Sequence, residues 1–127
     1  MYLLDDFIEY IISLGLATES DVDIFSNYSP DSPDDCICVY EYNGSEPSKW
    51  APVGVRSFQI VCRGKQRATA KQQCWDIYNM LLPFNSNIIH VSDIDGILAL
   101  RNSPILIDID DKHRALYAFN LAITIQY

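Results

Sequence analysis

ALYAFNLAITIQY, residues 115–127, decides how this chain folds. Its odd positions, Ala115, Tyr117, Phe119, Leu121, Ile123, Ile125 and Tyr127, are apolar, while the even positions after Leu116 and Ala118 turn small or polar. Successive side chains of a strand point to opposite faces, so this alternation describes a long strand with one face on a core and the other outward or toward a neighbour. Just before it, DIDDKHR (108–114) is polar turn material after an apolar segment at 104–109, the pattern of a β-hairpin. Segments 96–102 and 87–92 read as further strands.

Upstream, the stretch from Thr69 carries Ala70, Cys74, Ile77, Tyr78 and Leu81 at helical spacing. Thr69 followed by Gln72 has the capping-box spacing and predicts the helix start there, and Pro83 requires the helix to end by Leu82. Residues 54–63 alternate, with Arg56, Phe58, Ile60 and Cys62 on one side and Val55, Ser57, Gln59, Val61 and Arg63 on the other. CICVYEY (36–42) is rich in strand formers and closes with Asn43-Gly44, a pair tolerant of positive φ. Residues 22–26 read as a short strand. Leu3, Leu4, Phe7, Ile8, Ile11 and Leu14 form the stripe of an amphipathic first helix, with acids near its N-terminus and Gly15 as its stop. The fold class predicted is α+β, with two helices packed on one face of a largely antiparallel β-sheet, in one domain over residues 1–127.

At 127 residues and 14.5 kDa, the chain is long enough to bury a single core without a metal or disulfide staple. The first ten residues carry three acids and no base, unlike a secretory signal, and no apolar run approaches the ~20 residues of a membrane span. A soluble, cytosolic chain with no membrane partner is expected. Charge is uneven: residues 1–48 hold eleven acids and no Lys or Arg, and residues 49–127 hold the other six acids and all nine bases, for a net charge of −8. Such a balance disfavours binding to DNA or anionic membrane, which requires Lys and Arg to neutralise phosphates. It suits self-association through complementary faces.

Little in the sequence carries chemistry. Cys36 and Cys38 sit two apart on a strand, and a C-x-C splays its sulfurs along the strand instead of bending both onto one ion as C-x₂-C turns do. Convergence of these two with Cys62 and Cys74 on zinc is therefore not expected, and the four thiols read as small buried hydrophobes. The acidic clusters DSPDD (31–35), DIDG (93–96) and DIDD (108–111) do not match a calcium-binding loop. His90 and His113 lack a partner serine or a phosphate-cradling glycine loop, and RGKQR (63–67) is too short for a nucleic-acid platform. No metal, cofactor or catalytic residue is expected.

The order PDSPDDCICVYEYNG, then Pro47, a strand ending CRGK (62–65), the helix AKQQCWDIYNMLL and a final strand of alternating aromatics resembles the small minor-capsid and tail-terminator proteins of siphophages and prophages. The closest motifs are Pro30-Asp31-x-Pro33-Asp34, Tyr40-Glu41-Tyr42-x-Gly44 and Arg63-Gly64-Lys65. The chain departs from that pattern at DIDDKHRALYAF, where such proteins more often place a glycine in the turn. The resemblance implies a non-enzymatic virion protein: a ring, of six copies in that family, that caps the head-proximal end of the tail tube, stops its polymerisation and docks to head completion proteins. It implies as partners other copies of itself, the tail tube protein and a head completion protein, with genomic DNA passing through without specific binding. The alternatives are a head-tail connector, a host adaptor domain and, further off, a small metal-dependent enzyme. If copies meet acidic face to basic face, the contacts expected are Asp31, Asp34, Asp35 and Glu46 on one side and Arg56, Arg63, Lys65 and Arg67 on the other. Trp50 is the expected aromatic anchor.

Overall fold

The computed structural model of the chain describes residues 3–15, 23–44, 53–91 and 94–126. Its elements run α1 (Leu3–Ser13), β1 (Ile24–Ser26), β2 (Cys36–Gly44), β3 (Val53–Gly64), α2 (Arg67–Leu81), a 3₁₀ turn (Leu82–Phe84), β4 (Ile88–Val91), β5 (Ile94–Leu100), β6 (Ile105–Ile109) and β7 (Ala115–Gln126). All seven strands join one sheet in the order β1-β2-β3-β7-β5-β4, with β6 also on β7. Among the described residues only the β1–β2 pair is parallel. The architecture is α+β, as the alternation and the two helical stripes predict.

β7 organises the sheet. Along one edge it pairs with β3 over its whole length, from Val53↔Gln126 to Gly64↔Ala115, without a bulge. Its other edge is divided: β5 takes Leu121–Ile125 and β6 takes Ala115–Ala118. Across the gap, Asn102 Oδ1 accepts the Asn120 N–H (2.8 Å) and Arg101 N–H donates to the Asn120 carbonyl (2.8 Å), so a loop supplies the bonds that a strand residue would. Pro104 lacks an N–H to extend the ladder. β5 runs Ile94–Leu100, two residues earlier at each end than the 96–102 span predicted.

The core lies between one sheet face and both helices. Phe58, Ile60 and Cys62 of β3 and Phe119, Leu121 and Ile123 of β7 meet Leu4, Phe7, Ile8 and Ile11 of α1 and Ala70, Cys74, Ile77 and Leu81 of α2. Phe7 packs on Phe58 with ring centroids 5.1 Å apart, and Tyr78 meets Phe119 edge-on at 5.4 Å. Helix α1 lies over β1, β2 and β4, and α2 over β3 and β7.

Helix α2 starts at Arg67, two residues before the start predicted from Thr69. No side chain caps it, and Gln72 donates to Asp76 Oδ1 (2.7 Å) instead of reaching back to the first turn. Tertiary packing sets this start. β3 runs directly into the helix through Lys65 and Gln66, and a Cβ on Gly64 would lie 3.0 Å from the Ala70 Cβ, so the chain must turn there. The 3₁₀ turn at Leu82–Phe84 carries Pro83 and ends the helix where proline required.

Candidate functional site

The loop PDSPDD sits on the outer face of the sheet, over the second, smaller cluster of Phe25, Cys36, Cys38, Val61 and Ala118. Its side chains at Asp31–Asp35 are exposed, yet its backbone is held from below by two buried arginines. Arg63, 3% exposed, donates to the carbonyls of Pro33 (2.7 Å) and Asp34 (3.2 Å) and to the Ser29 hydroxyl (2.9 Å). Arg114, 5% exposed, donates to the Asp31 carbonyl (2.6 Å), Asp34 Oδ1 (3.3 Å) and Asp110 Oδ2 (2.7 Å). Lys112 pairs with Asp31. A planar guanidinium with five donors suits this bridging, which an ammonium cannot reproduce.

The turn before β7 brings Arg114 and Lys112 to the loop. Asp110 Oδ1 accepts the N–H groups of Lys112 (3.0 Å) and Arg114 (2.9 Å), and His113 takes φ +61° in the left-handed region. Burial raises the Asp110 carboxyl, but the Arg114 backbone and guanidinium and the Lys112 N–H outweigh it, and the group stays below its ordinary value. The hydrogen bond from Lys112 and its charge hold Asp31 down in the same way.

The nine residues expected at a partner interface fall in three places. Asp31, Asp34, Asp35, Arg63 and Lys65 gather at one end of the sheet, where Asp35 Oδ1 accepts the Lys65 N–H (2.9 Å), and exposed Arg67 opens α2 beside them. Arg56 lies toward the other end of β3 and pairs with Glu41. Glu46 and Trp50 lie outside the described residues. Arg63 has no free surface to offer a neighbour. Three of the eleven early acids meet late bases within one chain: Asp31 with Lys112, Asp34 with Arg114, Glu41 with Arg56. Sequence reasoning missed Arg114 and Lys112, and the signal available was a turn carrying two bases directly after DIDD.

The four thiols divide into two pairs on opposite faces of the sheet. Cys62 and Cys74 belong to the main core, where burial pushes the Cys62 thiol well up. Cys36 and Cys38 lie under the loop, their sulfurs 3.9 Å apart. A hydrogen bond from the Cys36 thiol holds Cys38 down at about 7 against the effect of burial, with the Ser29 hydroxyl and Arg63 in support; the same bond pushes Cys36 up. One ion cannot be shared by pairs on two faces. Among the described residues no three of His, Cys, Asp and Glu converge, and an open hollow of about 640 Å³ beside α2 has Asp35 and Asp76 as its only ionisable lining groups. No described helix is long and apolar enough to cross a membrane.

The fold is that of a small α+β domain with an acidic loop fastened over the outer face of its sheet by Arg63 and Arg114. Residues 10–127 match the family described as bacteriophage tail terminator protein, and the chain belongs to that family. Its fold is similar, at TM-score 0.61 and 11% identity, to a chain of a solved "Virion of native gene transfer agent (GTA) particle", with 98% of this chain and 92% of that one covered. Among curated proteins none matches this sequence. The protein is a phage structural protein of the tail.

Proposed function

We propose that this chain forms a ring, of six copies, on the head-proximal end of a phage tail tube, where it stops polymerisation of the tube protein and presents a surface to the head completion protein. The role is structural, with no catalytic step. The observation that supports it most is the family match over residues 10–127 on a fold similar to a virion chain. The net charge of −8 suits a ring through which DNA passes without adhering. At the rim of the contact between copies, we assign the exposed charges Asp31, Asp34, Asp35, Lys65 and Arg67, with Glu46, Arg56 and Trp50 completing the surface. Arg63 contributes only by holding the loop.

Removing the gene from its phage or prophage tests this role. Heads without joined tails, together with tubes of uncontrolled length, are expected. Tubes of normal length that fail only to attach would overturn the terminator role in favour of a head-tail connector.

A further inference from the structure

Cys36, Cys38 and Tyr40 stand at alternate positions of β2, on the sheet face that the loop 28–35 covers. A C-x-C on an extended strand is expected to splay its sulfurs, yet here the two side chains turn toward each other and the sulfurs meet, unbonded, at 3.9 Å. Two residues of strand place the Cα atoms about 6.5 Å apart, within the range that a disulfide bridges. Both thiols are buried.

The polar groups of this layer converge on Cys38. The buried Arg63 guanidinium donates to the Ser29 oxygen (2.9 Å), which leaves the single hydroxyl proton free to face the Cys38 sulfur. The Tyr40 hydroxyl and the Cys36 thiol add two more hydrogen bonds to the same sulfur. Together they hold Cys38 down at about 7, where thiolate is abundant at neutral pH, while Cys36 is pushed up and keeps its proton. Cys62 and Cys74 differ: they lie in the main core beneath α2, where burial pushes the Cys62 thiol well up.

We propose that Cys36 and Cys38 form a redox-sensitive dithiol, closed to a disulfide by peroxide that enters when the loop 28–35 opens. The Cys38 thiolate attacks one peroxide oxygen; an S–O bond forms, the O–O bond breaks and hydroxide leaves, to be protonated by solvent. The Cys36 sulfur then gives up its proton and attacks the Cys38 sulfenic acid, so that the S–S bond forms, the S–O bond breaks and water departs. The pair loses two electrons and the peroxide gains them. A reducing compartment keeps the dithiol and an oxidising one favours the disulfide, so the floor of the loop has one covalent state in a cell and another outside it. This chemistry does not require a ring.

The test treats the reduced full chain with hydrogen peroxide, quenches it by alkylation under denaturing conditions and weighs the product by mass spectrometry. Two of the four thiols should be lost per chain, peptide mapping should place the link between Cys36 and Cys38, and dithiothreitol should restore both. Cys36→Ala should stop at a sulfenic acid on Cys38 that dimedone traps, and Cys38→Ala should react about tenfold more slowly. Arg114→Met, which loosens the loop, should close the disulfide faster than the parent. A parent that keeps all four thiols or loses all four together, a link that joins Cys62 to Cys74 or two chains, a Cys38→Ala chain oxidised at the parental rate, or an unchanged rate in Arg114→Met overturns the proposal. The parent's own disulfide map decides the matter even where a variant fails to fold.

Discussion

Arg63 and Arg114 are charged side chains buried under a loop. Burying a guanidinium without water is costly unless its donors are met, and here backbone carbonyls and carboxylates meet them. Removing either leaves loop carbonyls without that donor, and for Arg114 it also removes the side-chain bond to Asp110 Oδ2, while Oδ1 keeps its two backbone N–H donors. Arg114→Met and Arg63→Met should each lower unfolding free energy by about 3 kcal/mol in urea titration. A loss under about 0.5 kcal/mol, the range of ordinary surface changes, would show that these arginines do not hold the loop. Gly96 illustrates a different residue-scale constraint. A Cβ there would lie 2.4 Å from Ile123 Cγ2, so Gly96→Ala should cost about 2 kcal/mol by overpacking. At Gly15, φ is +80° with open space around it, so alanine is strained by backbone conformation alone.

At the scale of elements, the loop 28–35, the turn 110–114 and the start of β2 form one clasp over Cys36 and Cys38. The lowered Cys38 favours thiolate, yet both sulfurs are buried, so opening of the loop controls access to them. Native thiol labelling should therefore be slow at all four cysteines. Arg114→Met should accelerate it at Cys36 and Cys38 by roughly 30-fold or more, and these two should label well before Cys62 and Cys74, whose exposure requires global unfolding. Equal labelling rates at all four would mean global unfolding, not a clasp. Acid should loosen the same unit. The folded carboxyls of Asp31 and Asp110 lie below 3.8, so the stability they contribute is complete above that pH and is lost as pH falls through their folded values. Melting temperature is expected to fall below about pH 4, with a smaller acid-dependent fall in Arg114→Met. A parent and variant with parallel pH profiles would contradict the assignment.

For the whole molecule, pairing of the early acids with the late bases inside the subunit leaves fewer free charges for contacts between copies. Reversal of the two exposed bases, Lys65→Glu with Arg67→Glu, should leave folding within about 1 kcal/mol of the parent, since exposed charges contribute little to it. If these residues lie at the rim of a ring contact, the same change weakens assembly onto tubes, read as longer tails in complemented phage. Tails of parental length would restrict the contact to apolar surfaces. Arg63 is unsuited to that experiment, because its substitution would disturb the clasp first.

Strand alternation and helical stripes were legible in the sequence because burial on one face imposes a period that each residue carries locally: β7, β3 and both helices lie where their patterns place them. The acidic loop was legible as a rigid loop from its prolines and aspartates. Its fastening was not, since Arg63 lies 29 residues from Asp34 and Arg114 lies 83 from Asp31 in the chain. Only the tertiary structure decided that these charges meet within one subunit. It also decided that β7 shares its second edge between β5 and β6, and so left β6 uncovered. ILIDI has the composition of a buried strand, and nothing local distinguishes it from one. Exposure there follows from where the helices end, because covering a strand is a property of its neighbours and not of its own residues.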